Sequence, residues 1–201
     1  MRYSKPQNYV PNSRNAHQVE ELIANPCNAK CWFAMRVTYQ RELSVKQLLD
    51  AAHIENYIAM RRESRLVRGR KSSVMVPVVH NLVFVRETRA AVQAFKARVP
   101  HLQYMMARNG GTSEPIIVPD SQMRDFIAVS SADTGNVAYY EPGDVDLAAG
   151  TQVRVHGGSF DGLTGTFVKI KGKRNKQFVI AVQNVLAVAI DALNCDFIEK
   201  L

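Results

Sequence analysis

Cysteine is scarce in this 201-residue chain: Cys27, Cys31 and Cys195 are the only three. An odd, sparse set is not a disulfide framework, so a reducing cytoplasm is the expected setting. No apolar run approaches the ~18–20 residues of a membrane span, so a helical membrane protein is excluded. The opening residues, MRYSKPQNYVPNSRN, lack the apolar core of a secretory signal. Catalytic signatures are missing as well. There is no G-x-S-x-G, and Gly165 to Gly172-Lys173 has the wrong spacing for a phosphate-binding loop. Cys27 and Cys31 have no second pair to complete a zinc site. His53, His80, His101 and His156 are scattered, and no acid–base pair can be nominated. Neither an enzyme nor a bound metal or cofactor is expected.

Hydrophobic residues make up 46% and charged residues 22%, a globular balance. The formal charge is +8, which favours an anionic partner. That charge is unevenly placed. Residues 1–30 hold four basic and two acidic side chains, residues 31–131 fifteen and eight, and residues 132–201 seven and eight. Within the middle segment, residues 61–71 (RRESRLVRGRK) carry Arg61, Arg62, Arg65, Arg68, Arg70 and Lys71 against Glu63 alone. Arginine suits bidentate phosphate contact, and no aromatic interleaves the run, so backbone contact is expected rather than base stacking. The bland alternative is a solvated hairpin tip.

Residues 1–30 read as an extension, with a short helix over about 15–24. Residues 31–37 (CWFAMRV) read as a buried strand. Residues 42–53 place Val45, Leu48, Leu49 and Ala52 on one helical face. The β-rich stretches 57–60 and 73–79 flank the basic run, as in a long hairpin with a basic tip. Residues 81–86 are strand-like, and Thr88 caps a helix that buries Ala91, Val92, Phe95 and Val99. A strand over 102–106, a turn at Asn109-Gly110-Gly111, and a helix opened by Pro119-Asp120 with Met123, Phe126 and Ile127 inward complete an α+β sandwich with a largely antiparallel sheet. Residues 132–149 read as a linker. Beyond it, short strands over 151–156, 166–171, 177–182, 185–190 and 196–198 suggest a small β-barrel. Residues 181–193 also fit a helical period, but their β-branched side chains favour strands.

Residues 150–168 (GTQVRVHGGSFDGLTGTFV) resemble a KOW motif, with Ser159 where the family often has proline. Gly158, Gly162 and Gly165 then read as positive-φ turn positions, and Phe160 as the barrel plug. Upstream, Trp32-Phe33 opening a strand, the His53–Tyr57 turn, the VPVVHNLVFV block over 76–85 and Val118-Pro119-Asp120-Ser121-Gln122-Met123 are similar to the NusG N-terminal domain. In this order the two domains resemble NusG-type elongation factors. The segment Leu66-Val67-Arg68-Gly69-Arg70-Lys71 and the N-terminal extension look closest to specialised paralogues of the RfaH and UpxY kind, the latter antiterminators of capsular polysaccharide operons. The expected division is an extension over 1–30, a NusG-type α/β sandwich over 31–131, a linker over 132–149 and an SH3-like KOW barrel over 150–201.

The resemblance implies a monomer that binds the β′ clamp helices of RNA polymerase through an apolar depression, here at Phe33, Met35, Val79, Leu82 and Phe84. Strand alternation leaves open which of these are core, and which sheet face the helices cover. It also implies contact of the basic tip with upstream DNA, and of Arg41 and Lys46 with the non-template strand. The KOW domain would recruit a ribosomal protein near Asn184, Val185 and Leu186. The bulky Phe of the general factors is missing from that loop, which weakens the case for Rho binding. The alternative is a KOW-type RNA- or ribosome-binding protein. The acidic balance of 132–201 argues against it, and the cluster Lys169, Lys171, Lys173, Arg174 and Lys176 argues for it.

Overall fold

A computed structural model describes residues 29–67, 69–132, 137–191 and 197–201. The helix expected over 15–24, together with Cys27, Cys195 and Arg68, lies outside them. The first sheet is antiparallel and runs β2 (Glu55–Tyr57), β5 (Leu82–Glu87), β1 (Cys31–Val37), β6 (Leu102–Tyr104), with β9 (Ile117–Val118) also pairing β1. β1 is apolar on both sides because both faces of this sheet are covered. Phe33, Met35, Val83 and Val85 pack under α1 (Glu42–Ala51) and α2 (Arg89–Arg98) with Val45, Leu49, Val92 and Phe95. Trp32, Ala34, Leu82 and Phe84 pack on the opposite side with Met123, Phe126 and Val129 of α3 (Asp120–Ser131).

The two helices on the first face start and stop for local reasons. Thr88 Oγ1 accepts the Ala91 N–H at 3.3 Å and caps α2, as its sequence position requires. α1 ends where His53 turns to φ 56° and the Ile54 N–H reaches back to the Leu49 carbonyl at 3.0 Å. Val45 and Leu49 of α1 are buried as expected, whereas Leu48 and Ala52 are exposed, since the helix touches the sheet along a narrow stripe. Ala91 is half-buried and Val92, Phe95 and Val99 are buried.

Glu42 is a polar side chain in an apolar place, only 2% exposed at the start of α1. Its carboxylate accepts the backbone N–H of Asn81, a residue held at φ 62°. The Asn81 carbonyl accepts the Val37 N–H at 2.9 Å, and its side-chain oxygen accepts the Gln40 N–H at 3.2 Å. One carboxylate thus ties the entry to β5 to the connection after β1.

Two hairpins leave this sheet. β3 (Met60–Val67) pairs β4 (Arg70–Pro77), the ribbon expected around the basic run. β7 (Met106–Asn109) pairs β8 (Thr112–Pro115) around the Gly110-Gly111 turn, so the expected strand 102–106 divides into β6 and β7. The second sheet is six-stranded and antiparallel: β10 (Val137–Tyr140), β14 (Leu186–Asp191), β13 (Lys176–Val182), β12 (Thr164–Lys169), β11 (Thr151–His156), β15 (Phe197–Lys200). β10 falls inside the stretch read as a linker. Its Val137, Ala138, Tyr139 and Tyr140 satisfy their backbone against β14, an outcome that Gly and Pro nearby masked in the sequence. Residues 181–182 and 186–191 are strand, which removes the helical alternative over those positions.

Gly165 is a correction of a different kind. Gly158 and Gly162 have positive φ, but Gly165 lies inside β12 without one. A Cβ there would sit 2.7 Å from the Phe178 ring and from the Val179 carbonyl oxygen. The glycine is needed for close approach, not for a turn.

Two outcomes are expected in urea denaturation. Glu42→Ala leaves the Asn81 N–H without its acceptor and lowers stability by about 1–3 kcal/mol, with Glu42→Gln recovering most of it. Gly165→Ala destabilises by about 1–3 kcal/mol through overpacking against Phe178, while Gly172→Ala in an open turn acts only through its backbone.

Candidate nucleic-acid interface

The β3–β4 ribbon has strands of eight residues each, about 26 Å long at the usual rise. Directly paired residues share a face. One face carries Arg61 opposite Val76, Glu63 opposite Val74 and Arg65 opposite Ser72. There Glu63 takes two of the three cations, Arg65 Nε at 3.0 Å and Arg61 Nη2 at 3.6 Å, and Arg70, opposite Val67, is the third. The Arg65 hydrogen bond holds the Glu63 carboxyl below its ordinary pKa. The other face carries Arg62 opposite Met75, Ser64 opposite Ser73 and Leu66 opposite Lys71. It has no acidic residue, and Leu66 is 74% and Met75 52% exposed. The one acid of the basic run, Glu63, therefore lies on one face of the ribbon, and Arg62 and Lys71 lie on the other. The alternation Arg61-Arg62-Glu63-Ser64-Arg65 already held this signal, since Glu63 shares its parity with Arg61 and Arg65. Arg70 and Lys71 are exposed near the tip.

Arg41 and Lys46 end up in different circumstances. Arg41 Nη1 donates to His101 Nε2 at 2.8 Å, which leaves the ring proton on Nδ1, 3.5 Å from Thr38 Oγ1. The exposed Tyr39 ring meets His101 edge-on at 5.8 Å, and Tyr39 and Gln40 hold φ of 62° and 52°. Such a concentration of non-glycine residues in the left-handed region is costly and marks a connection held in place by its neighbours. Lys46 instead bonds both Asp50 oxygens at 3.1 Å and Asn56 Oδ1 at 3.2 Å, so its charge is locally neutralised.

The five apolar residues implied by the resemblance do not share one surface. Phe33 and Met35 are buried under α1 and α2. Leu82 and Phe84 are buried on the α3 side, where the Phe84 and Phe126 rings lie 5.5 Å apart and Tyr57 meets Phe126 at 5.7 Å. Val79 is half-buried beside that cluster. The opposite parity of Phe33/Met35 and Leu82/Phe84 follows from the β1–β5 register, which pairs Phe33 with Val85 and Ala34 with Phe84.

Between the ribbon base, the end of α3 and β10 lies a cleft of about 890 Å³, lined by Tyr57, Arg62, Met75, Ser131 and Tyr139 among others. Tyr57 Oη is 2.6 Å from Ser130 Oγ, and burial pushes the Tyr139 phenol up to about 12. β13 and β14 also pack against α3, and Gln122 Oε1 accepts the Gln183 N–H at 3.0 Å. In that turn Asn184 is exposed, while Val185 and Leu186 are buried. No group of three or more metal-ligating side chains occurs among the described residues, and none of their helices is long and apolar enough to cross a membrane.

No curated protein matches the chain. A solved structure of Thermotoga maritima NusG, concerned with its domain interaction, is similar to it at 18% identity with a TM-score of 0.40, covering 86% of this chain and 97% of that one. Residues 30–127, which hold the first sheet, both hairpins and the start of α3, match the family described as transcription termination factor NusG. Over those residues, just under half of the chain, the sequence is similar to the NusG family.

Proposed function

We propose that this chain is a transcription elongation and antitermination factor of the specialised RfaH and UpxY kind. It binds RNA polymerase at the β′ clamp helices and suppresses pausing or termination in particular long operons, capsular polysaccharide operons among them. Proteins of the NusG family are transcription factors that bind RNA polymerase, not enzymes. The observation that carries the finer reading is the two-sided basic ribbon projecting from the family domain. A bridge across the polymerase cleft favours one conformation of the enzyme over another, which needs binding energy and no chemistry.

In this reading residues 31–131 are the polymerase-binding domain, 1–30 an extension, 132–149 a connection and 150–201 a KOW domain, acting as a monomer in the cytoplasm. The apolar contact centres on half-buried Val79 beside the α3 side of the first sheet; Leu82 and Phe84 beneath α3, and Phe33 and Met35 on the other face, support it from the core. Arg62, Arg68, Arg70 and Lys71 meet upstream DNA, with Arg61 and Arg65 shared with Glu63. Arg41, oriented by His101 beside Tyr39, meets the non-template strand, and Lys46 orders the helix behind it. Asn184, Val185 and Leu186 receive a ribosomal protein. Val185 and Leu186 are buried, so in this reading the turn is uncovered before that contact forms.

Two measurements test this. The 201-residue chain captures core RNA polymerase, and Val79→Asp weakens capture at least tenfold while its circular-dichroism melting curve stays cooperative. Unchanged capture removes this face from the reading. On a polymerase–DNA scaffold, replacing Arg65, Arg68 and Arg70 by alanine lowers the slope of log affinity against log salt by about 2–3, since each phosphate neutralised adds about 0.9 to that slope. Glu63→Gln, which frees two arginines, tightens binding. If neither variant changes affinity or salt slope, the ribbon is a solvated projection.

A further inference from the structure

Three stretches distant in sequence wall the cleft beside the ribbon base: the ribbon gives Met60, Arg62 and Met75, the end of α3 gives Ser131, and β10 gives Tyr139. Its volume of about 890 Å³ suits a small molecule, for which sites of roughly 300–1,000 Å³ are usual. Arg62 pairs directly with Met75 and shares its strand face with Met60, so the acid-free face of the ribbon supplies two thioethers and a guanidinium. Arg62 is exposed and in no ion pair among the described residues. The hydroxyls of the cleft have a fixed direction. Ser130 Oγ lies 2.6 Å from the Phe126 carbonyl, which only accepts, so the Ser130 proton is committed there. Tyr57 Oη, 2.6 Å from Ser130 Oγ, must then donate to it, and Ser131 Oγ, 3.1 Å from Tyr57 Oη, donates in turn. The Ser131 oxygen is left as an acceptor at the cleft wall. Tyr139 is its converse. Burial, with the Tyr57 phenol nearby, pushes it up to about 12, so at neutral pH it is an O–H donor. No hydrogen bond uses that proton among the described residues.

We infer that this cleft is a binding site for a free mononucleotide, a nucleoside 5′-monophosphate. One cation, one donor and one acceptor stand around an apolar wall, and a nucleotide is the small-molecule class that matches all four. The phosphate takes the Arg62 guanidinium, whose fork suits it. The edge of a base carries both acceptors and N–H donors, which meet the Tyr139 hydroxyl and the Ser131 oxygen. Thioethers and tyrosine rings are good partners for the flat apolar faces of a base. A fatty acid would satisfy Arg62 and the methionines but strand the Tyr139 and Ser131 hydroxyls without partners. Inorganic phosphate would leave the apolar wall wet. A single unpaired arginine fits one phosphate rather than three, since Arg61 is shared with Glu63. The ligand touches the ribbon, α3 and β10 at once, so it ties the ribbon to the second sheet and stabilises the folded body by mass action. The inference stands on the cleft alone and does not rest on polymerase binding.

The test is isothermal titration calorimetry of the 201-residue chain with adenosine, guanosine, cytidine and uridine 5′-monophosphates, with the matching nucleosides, inorganic phosphate and decanoate for comparison. At least one nucleotide is expected to bind at least tenfold more tightly than its nucleoside and than phosphate, and to raise the melting temperature. Arg62→Ala is expected to weaken that nucleotide at least tenfold and to leave the nucleoside unchanged. Tyr139→Phe is expected to weaken both at least threefold. Both variants should melt cooperatively without ligand, because Arg62 is exposed and Phe keeps the ring, so lost binding is distinguishable from lost folding. Arg65→Ala/Arg70→Ala, which discharges the other ribbon face, is expected to bind the nucleotide as the native chain does. Absence of binding by all four nucleotides at millimolar concentration overturns the proposal. So does affinity that ignores Arg62→Ala and Tyr139→Phe, equal loss in the Arg65/Arg70 variant, or decanoate binding more tightly than every nucleotide. A hexanucleotide that binds at least tenfold more tightly than its own monomer overturns the assignment to a free nucleotide in favour of a strand end.

Discussion

Everything in this molecule leans on α3. Met123, Phe126 and Val129 of this helix pack over the first sheet, and the helix also meets β13 and β14, with Gln122 at that contact. The ring series Tyr57, Phe126, Phe84 fixes its distance from the sheet. Arg86 fixes its start, donating to Asp120 at 3.0 Å and to Glu55 at 3.2 Å and so joining α3 to β2 and β5. Because the same buried cluster continues from Trp32 and Phe84 into Val155, Phe178 and Val188, the two sheets are one packed body around this helix.

This arrangement also positions the charged parts. The ribbon leaves the sheet next to β2, and its base closes over the cleft between Tyr57 and Tyr139, so only its outer half projects freely. At the other end of the sheet the Glu42–Asn81 knot holds the connection that carries Tyr39 and Arg41. The two basic features are therefore set by separate buried anchors, and the lysine turn between β12 and β13 is set by a third, with Val168 and Ile170 in the core beneath it.

The strands and helices of the first half were legible because each has one dominant local cause: the apolar run of β1, the Thr88 cap, the Pro119-Asp120 helix start. What was not legible depends on partners distant in sequence. β10 exists because β14 offers it an edge, not because Val137–Tyr140 has a strong strand pattern. Leu48 matches the helical period, yet the sheet does not reach it. For the site, the basic run and the parity of Glu63 with Arg61 and Arg65 were visible in the sequence, but which residues of 70–77 join each face needed the register. The apolar contact set was the least legible, because assigning faces to Phe33 and Phe84 requires knowing that β1 and β5 pair as Phe33 with Val85. Glu42 carried no motif and Tyr57 only closed the His53–Tyr57 turn; their roles arise from burial and from bonds to Asn81 and Ser130.

The double burial of α3 has a calorimetric consequence. Parting the two sheets hydrates the apolar surface shared between the first sheet with α3 and the second sheet, and newly hydrated apolar area raises heat capacity. A partner that merely attaches to the closed molecule buries surface and lowers it. The sign and size of the heat-capacity change on association therefore separate a ligand that decorates this protein from one that opens it.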